Sequence, residues 1–490
     1  MPASRLIHHL RNYASAGVLS AVVGLVSFPL MTRNLSVADY GIVGLLTSSV
    51  TLFIAIGKLG VQHSVIRFFA QVKNGNIGFN TDELNSTVNM VFIALAIGAV
   101  SLFLLVGFQL LPNVLQYEDI SSLFLLAAPI LFVRMLGSGI MNFLRAQQRS
   151  AEVAIAQSLA RFLNLLLLIA VVLSTVLNPY SVLVCLFFAE LAGVCFAAYQ
   201  YRKQFFFARA DVSGNLAKQM LMFGMPLMVL ESLSLVLRLS DRYLIESMLG
   251  VDALGQYSAS YNLTAYLDII VLAAMLQALR PAYMQIWESK GAEETKKFLS
   301  QGFRIYMVIG IPFVVMFSVT SPYILSFLAG PKYALGTVII PFVAFSFWLE
   351  GAMYLLAAGL YIFKNTKVLM FTSLTATVLN LGLNFYFIPH FGIMGAAGVT
   401  VFCYAVFLTI VTIYAFRDVS FTIEWRTPAI ICIVSALVYV ALMQVNLAGD
   451  VQNFFFKGLS GTTVLLLTIW VLVPEVRTWL LSTALRLKRS

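Results

Sequence analysis

Charged side chains are scarce in this sequence: Asp, Glu, Lys and Arg make up 11% of its 490 residues, against about a quarter in an average soluble domain. With 60% hydrophobic residues, that shortage excludes an ordinary water-soluble globular chain. Cysteine is sparse too. Cys185, Cys195, Cys403 and Cys432 each sit in an apolar run and form no CxxC pair, which excludes a disulfide framework and a cysteine-held metal. There is no GxxxxGK[ST] phosphate loop, so ATP hydrolysis is not expected. A cleavable signal is also missing: Arg5 and Arg11 precede an apolar run from Ala14 to Met31 with no A-x-A-like site after it. That run is expected to be the first transmembrane helix.

What the chain does have is long apolar runs. Stretches of about 20 apolar residues recur to give about 14 spans, from 13–31 through 455–473. With the N-terminus placed in the cytoplasm, 23 of the 31 Lys and Arg residues fall in inner segments and four in outer loops (Arg33, Arg242, Lys332, Lys457). The asymmetry orients the chain with both termini cytoplasmic. It also assigns the net charge of +10 to topology, so no nucleic-acid partner is expected. The outer segments, such as Gln109 to Ile120 and Ser240 to Ala253, are short loops with little room for an extracytoplasmic catalytic domain. Inner segments 201–218 and 280–302 are the longest and read as basic linkers, the first with Phe205, Phe206 and Phe207 able to lie in the membrane surface.

LSVADYGIV (Leu35 to Val43) and LGVDALGQY (Leu249 to Tyr257) share Leu, Val and Gly at an offset of 214. Each begins the second helix of a six-helix set. Two parallel six-helix repeats follow, related by a pseudo-twofold axis along the membrane normal, as in transporters whose central cavity alternates its opening. The expected fold is therefore an all-α polytopic membrane protein: an N-terminal lobe over 1–210, a C-terminal lobe over 211–416, and accessory helices with a basic tail over 417–490.

An ionisable side chain near the bilayer centre costs about 2.5–3.5 kcal/mol on insertion scales and is a functional candidate for that reason. The first half holds Lys58, Arg134, Arg161 and Glu190; the second holds Glu231, Arg238, Asp268 and Glu350. Arg134 shares a helix face with Ser138, Asn142 and Arg145, and Arg161 shares one with Gln157 and Asn164. Ser373, Thr377, Asn380 and Asn384 make an uncharged polar stripe. In PLMVLESLSLVLRLSDRYL (226–244), Glu231, Ser234, Arg238, Asp241 and Arg242 fall on one arc of about 100°. Glu231 is read there as a cation site and Arg238 as lying near an outer mouth, with Asp241 and Arg242 capping the helix or pairing in the outer loop. Basic side chains suit an anionic ligand, because Arg grips phosphate oxygens in pairs. Carboxylates in a dry bundle suit a proton or sodium ion. Lys58, Arg161 and Arg238 also lie near span ends, where snorkelling is the plainer role.

FPLMTRNLSVADYGIVGLLTSSV (Phe28 to Val50), SDRYLIESMLGVDALGQYSASYNL (Ser240 to Leu263) and LNLGLNFYFIPHFGIMGAAGVT (Leu379 to Thr400) resemble the polysaccharide-biosynthesis branch of the multidrug/oligosaccharidyl-lipid/polysaccharide (MOP) exporter superfamily. The resemblance covers the twelve-helix core. It implies a monomeric, multi-pass flippase of a bacterial inner membrane that carries a polyprenyl-diphosphate-linked oligosaccharide outward for O-antigen, capsule or exopolysaccharide assembly. It would work among membrane lipids and other polysaccharide-assembly proteins. No cofactor is expected beyond H+ or Na+ as coupling ion. Lys58, Arg134, Arg161 and Arg238, with Asn142, Asn164 and Asn380, would form the anion cavity, and Glu190, Glu231, Asp268 and Glu350 are the cation-coupling candidates. A multidrug cation exporter of the same superfamily and a membrane glycan polymerase or ligase are the alternatives.

Overall fold

The computed structural model describes residues 3–115, 117, 119–202, 211–269, 274–445 and 447–472, and among them no strand occurs. The basic patch around Phe205–Phe207 and the C-terminal tail lie outside the described residues. Each expected span falls on helical chain where it is described, and among the described residues eleven helices are long and apolar enough to cross a membrane. The helices are α1 (Ala3–Asn34), α2 (Val37–Gly57), α3 (Val61–Lys73), α4 (Thr81–Leu105), α5 (Ile120–Ala146), α6 (Ser150–Ser174) and α7 (Pro179–Tyr201). After them come α8 (Gly214–Leu239), α9 (Asp241–Leu249), α10 (Val251–Asp268), α11 (Ala274–Lys290), α12 (Ala292–Ala329), α13 (Ile340–Leu356), α14 (Ala358–Ile362), α15 (Thr366–Asp418), α16 (Arg426–Gln444) and α17 (Asp450–Leu472). Two expected spans lie end to end in α15, which kinks at Gly392 with φ 61° and ψ −147°.

Local sequence explains several helix starts. Ser36 caps α2 by accepting from the Asp39 amide, and Asn80 with Glu83 and Asn178 with Ser181 form reciprocal capping boxes on α4 and α7. Between α2 and α3 the chain turns through Leu59 and Gly60, both at positive φ. A Cβ on Gly60 would stand 1.9 Å from the Gly224 carbonyl oxygen, so this break also lets α8 approach the backbone. Surface polarity is inverted: Leu173 is 82% exposed, whereas Ser49, Ser258 and Asn380 are buried, as lipid contact requires.

Two segments expected as loops are helical. The inner stretch 280–302 continues as helix apart from Gly291, at φ 80°. Glu293 and Glu294 sit in the first turn of α12 and pair with Lys296 and Lys297 at 3.0 and 2.9 Å, favouring helix through both the dipole and i,i+3 spacing. The outer stretch 240–253 forms α9 and the start of α10, divided by Gly250 at φ 86°. Its charges are buried rather than solvated, for reasons given below.

By contact density the chain forms two units, 1–269 with 373–399, and 270–372 with 400–490. In the second, α16 and α17 pack on α12 through Val319, Val438, Leu442 and Leu465. Tyr306 of α12 donates to the Trp348 carbonyl at 2.7 Å, and Arg304 pairs with Glu424 at 2.9 Å. The expected lobes 1–210 and 211–416 come from the sequence repeat and are a different division from these units.

Within the first unit the two segments that share the motif cross each other closely. A Cβ on Gly41 would lie 2.7 Å from the Gly255 nitrogen and 3.0 Å from the Val251 oxygen; one on Gly255 would lie 2.0 Å from the Val37 oxygen. Val37 and Val251, like Gly41 and Gly255, are offset by 214, so each position meets its counterpart's neighbour in the reciprocal pattern of a twofold contact. Gly44 and Ser258, at the same offset, also face each other, with a Cβ on Gly44 3.1 Å from the serine Oγ.

Beside the start of α2, the Tyr117 hydroxyl donates to Asp39 Oδ1 at 2.9 Å. Burial, then the Asp39 bond, hold its phenol above the usual range. Tyr117→Phe is expected to cost ~1 kcal/mol, read as a small fall in Tm. Because the native phenol ionises above its unfolded value, its contribution is complete below about pH 10 and lost as pH rises. The gap between wild type and variant should therefore narrow in alkali.

Candidate functional site

Five helices of the first unit enclose a cavity of about 320 Å³. On α5, Arg134, Ser138, Met141 and Arg145 recur at helical spacing and present one face to it. Gln157 and Arg161 come from α6, Glu190 from α7, Ser20 from α1, and Lys58 from the turn that closes α2. Small residues let these helices converge. A Cβ on Gly137 would stand 2.4 Å from Val194 Cγ2, and one on Gly193 2.8 Å from the Ala156 carbonyl oxygen, so α7 sits close against α5 and α6.

Four cationic side chains and one carboxylate line the space. Arg134 donates to Glu190 Oε1 through Nε at 2.9 Å and Nη2 at 2.6 Å. Arg145 donates to Asn142 Oδ1 at 3.0 Å, while Asn142 Nδ2 is anchored on the Ser138 carbonyl at 2.8 Å. Lys58 lies within electrostatic range of Arg145 and Glu231. An anion entering this space meets paired donors at low dielectric, where charge-assisted hydrogen bonds are strongest.

The structure therefore brings Lys58, Arg134, Arg161 and Glu190 together and adds Arg145, which shares the Arg134 face. Glu190 is already engaged by Arg134. Asn142 stands behind the lining, buried, and positions Arg145. Asn164 does not line the cavity, and its Oδ1 is buried without a partner among the described residues. Arg238 and Asn380 lie in the same unit outside the lining. Glu231 accepts from Gln62 Nε2 at 2.9 Å and meets His63 Nε2 at 3.1 Å. Glu350 belongs to α13 in the second unit. The side chain of Asp268 lies outside the described residues.

A second polar cluster departs from expectation. Asp241 and Arg242 are buried, at 1% and 6% exposure, rather than capping an exposed loop. The Asp241 carboxylate accepts from Tyr257 Oη at 2.9 Å and Asn384 Nδ2 at 2.7 Å. Asn384 also donates to Asn380 Oδ1, 3.2 Å away, to which Ser240 donates at 3.3 Å. Arg242 turns the other way, donating to Ser48, the Gly44 carbonyl and Asn262. Helical phase placed these residues on one stripe but did not show that α9 would be packed between α2, α10 and the 380–384 segment.

Comparisons with known proteins agree with this architecture. The model of a family described as polysaccharide biosynthesis protein matches residues 12–287, more than half of the chain. A proposed O-antigen transporter of Shigella flexneri is 21% identical over 388 residues, covering 77% of this chain and 90% of that protein. An uncharacterised membrane protein of Methanocaldococcus jannaschii is 25% identical over 434 residues, covering 81% and 80%. Among solved structures, the lipid II flippase MurJ in an inward closed conformation superimposes with a TM-score of 0.78 at 12% identity, over 95% of this chain and 99% of that one. An inward-facing multidrug resistance MATE family transporter of the MOP superfamily gives 0.61 at 14% identity, over 82% and 94%. At such identities the structural likeness speaks for the fold, while the family model speaks for descent. The chain belongs to the polysaccharide biosynthesis protein family, a multi-pass membrane branch with the MOP-superfamily fold.

Proposed function

We propose that this protein is a flippase, not an enzyme, that moves a polyprenyl-diphosphate-linked oligosaccharide from the cytoplasmic to the outer leaflet of a bacterial inner membrane by alternating access. The observation that carries this reading is the cavity lining, four cations against one carboxylate. At an effective dielectric near 20, a cation 4 Å from a unit negative charge gains about 4 kcal/mol, so Lys58, Arg145 and Arg161 can hold a diphosphate against its hydration. Ser20, Ser138 and Gln157 offer neutral hydrogen-bonding groups to sugar hydroxyls. The lipid tail stays among the exposed apolar side chains of the spans. The name of the Shigella relative, an O-antigen transporter, supports the same cargo class. A cationic drug would be repelled by this lining, which weighs against the multidrug alternative.

Coupling to H+ or Na+ fits the Asp241 cluster best on geometry. Its carboxylate is buried and accepts from Tyr257 and Asn384, and the buried Asn384 Oδ1 next to it has no partner among the described residues. A cation there gains a carboxylate and an amide oxygen at once. Glu231, one of the four sequence candidates, has a side chain 37% exposed that is bonded to Gln62 and His63. Asp241→Asn is expected to keep the fold and abolish stimulation of flipping by a pH or sodium gradient. Unchanged gradient dependence in the variant would remove Asp241 from this role.

The function itself is tested in proteoliposomes holding the full chain and a fluorescent polyprenyl-diphosphate saccharide. Exposure of the labelled head group to an impermeant quencher should rise with this protein and fall at least tenfold with Lys58→Ala. If protein-free and protein-bearing vesicles behave alike, the proposal fails.

A further inference from the structure

The Arg134–Glu190 pair is an incomplete ion pair facing the cavity. Both guanidinium donors, Nε and Nη2, converge on one oxygen, Glu190 Oε1. Glu190 Oε2 and Arg134 Nη1 make no hydrogen bond among the described residues, and the two side chains remain 17% and 19% exposed. A pair whose purpose is to fix two helices has its remaining valences satisfied, since burial otherwise outweighs the attraction. The helices here need no such clamp: α5 and α7 are already in contact where Gly137 admits Val194. Arg134 thus holds an anion with half of its fork in use, in a space whose other cations, Lys58, Arg145 and Arg161, face the same lumen. Arg161 has no carboxylate within ion-pair distance among the described residues.

We infer that Glu190 is an internal competitor for the anion site: its carboxylate occupies, on Arg134, the place that an anionic oxygen of the cargo takes. This deepens the proposed function and rests on it. Cargo binds by displacing Glu190 from Arg134, and Glu190 returns to Arg134 to expel it. A site closed by its own side chain has an apparent affinity reduced by the fraction of time it is open. Removing the competitor therefore tightens binding, while removing the return stroke slows release. A purely structural pair predicts the opposite sign, because losing Glu190 would leave Arg134 unheld and the site disordered.

The test uses the full chain in lipid nanodiscs with farnesyl diphosphate as the probe, titrated calorimetrically, and the flipping assay above in parallel. Glu190→Gln is expected to bind the probe about tenfold tighter than wild type and to flip the labelled saccharide more slowly. Arg134→Ala should bind weakly, and the double variant should match Arg134→Ala, because the competitor matters only where its target is present. Glu190→Ala, tested alongside in case the glutamine variant does not fold, should tighten binding in the same way. Unchanged or weaker binding in both folded Glu190 variants, with wild-type flipping intact, overturns the competitor role and leaves the flippase standing. Failure of every protein to bind the probe, together with no flipping by wild type, overturns both.

Discussion

Gly255→Val is expected to cost this protein its native packing. A Cβ at that position would stand 2.0 Å from the Val37 carbonyl oxygen and 2.6 Å from Val37 Cγ1. The first of these is backbone, so no rotamer change relieves it, and α2 and α10 must separate. Overpacking usually costs about 1–3 kcal/mol when side chains can give way, and here they cannot. Separation would also pull Gly41 from Gly255 and Ser258 from Gly44, and with them the Arg242 contacts on Gly44 and Ser48. The expected result is a fall in Tm on the order of 10 °C or loss of the monodisperse protein. Gly98→Val, where a Cβ meets nothing within 4 Å, should leave Tm almost unchanged. Equal behaviour of the two variants would refute the close helix crossing.

Arg161→Ala should lower flipping by about 10- to 100-fold with little change in Tm, since one charge-assisted hydrogen bond is worth about 1.5–3 kcal/mol. Arg161 is the cleaner probe of the cavity. Its side chain forms no ion pair among the described residues, so its removal strands no partner, whereas Arg134→Ala also takes away the cation that Glu190 pairs with. The loss should also be sensitive to charge rather than size. Arg161→Lys should recover part of the rate, but not all, because a lysine cannot make the paired contact. A folded Arg161→Ala protein with full activity would show that the cargo's charge is recognised elsewhere.

The helical, membrane-spanning class is legible because it is written in averages. Runs of about 20 apolar residues survive errors of several residues at each boundary. The match of Val37 and Gly41 with Val251 and Gly255 falls on a close helix crossing, which tolerates few residue types. Arg134, Arg161 and Lys58, which line the cavity, stand out in the sequence because an intramembrane cation is expensive wherever it points. What periodicity lacks is the neighbour. The stripe in PLMVLESLSLVLRLSDRYL serves two places, Glu231 toward Gln62 and His63, and Asp241 toward Tyr257 and Asn384. No spacing rule within one helix separates those partners. Arg145 lies one turn past the apolar run, and α5 continues to Ala146 to carry it. Segment 280–302 was taken for a linker because it is charged, and its charges are the i,i+3 pairs that hold it helical.

Cargo choice is decided most directly by presenting two kinds of substrate to one preparation. Proteoliposomes of the purified chain would carry a fluorescent polyprenyl-diphosphate oligosaccharide in one set and a cationic dye such as rhodamine in another, each with and without a pH or sodium gradient. An anion-lined cavity built on Lys58, Arg134, Arg145 and Arg161 predicts protein-dependent exposure of the lipid-linked saccharide, loss of that activity in Arg161→Ala, and no dye movement. Dye export with an immobile saccharide would contradict it and place the chain with the drug exporters that share its fold.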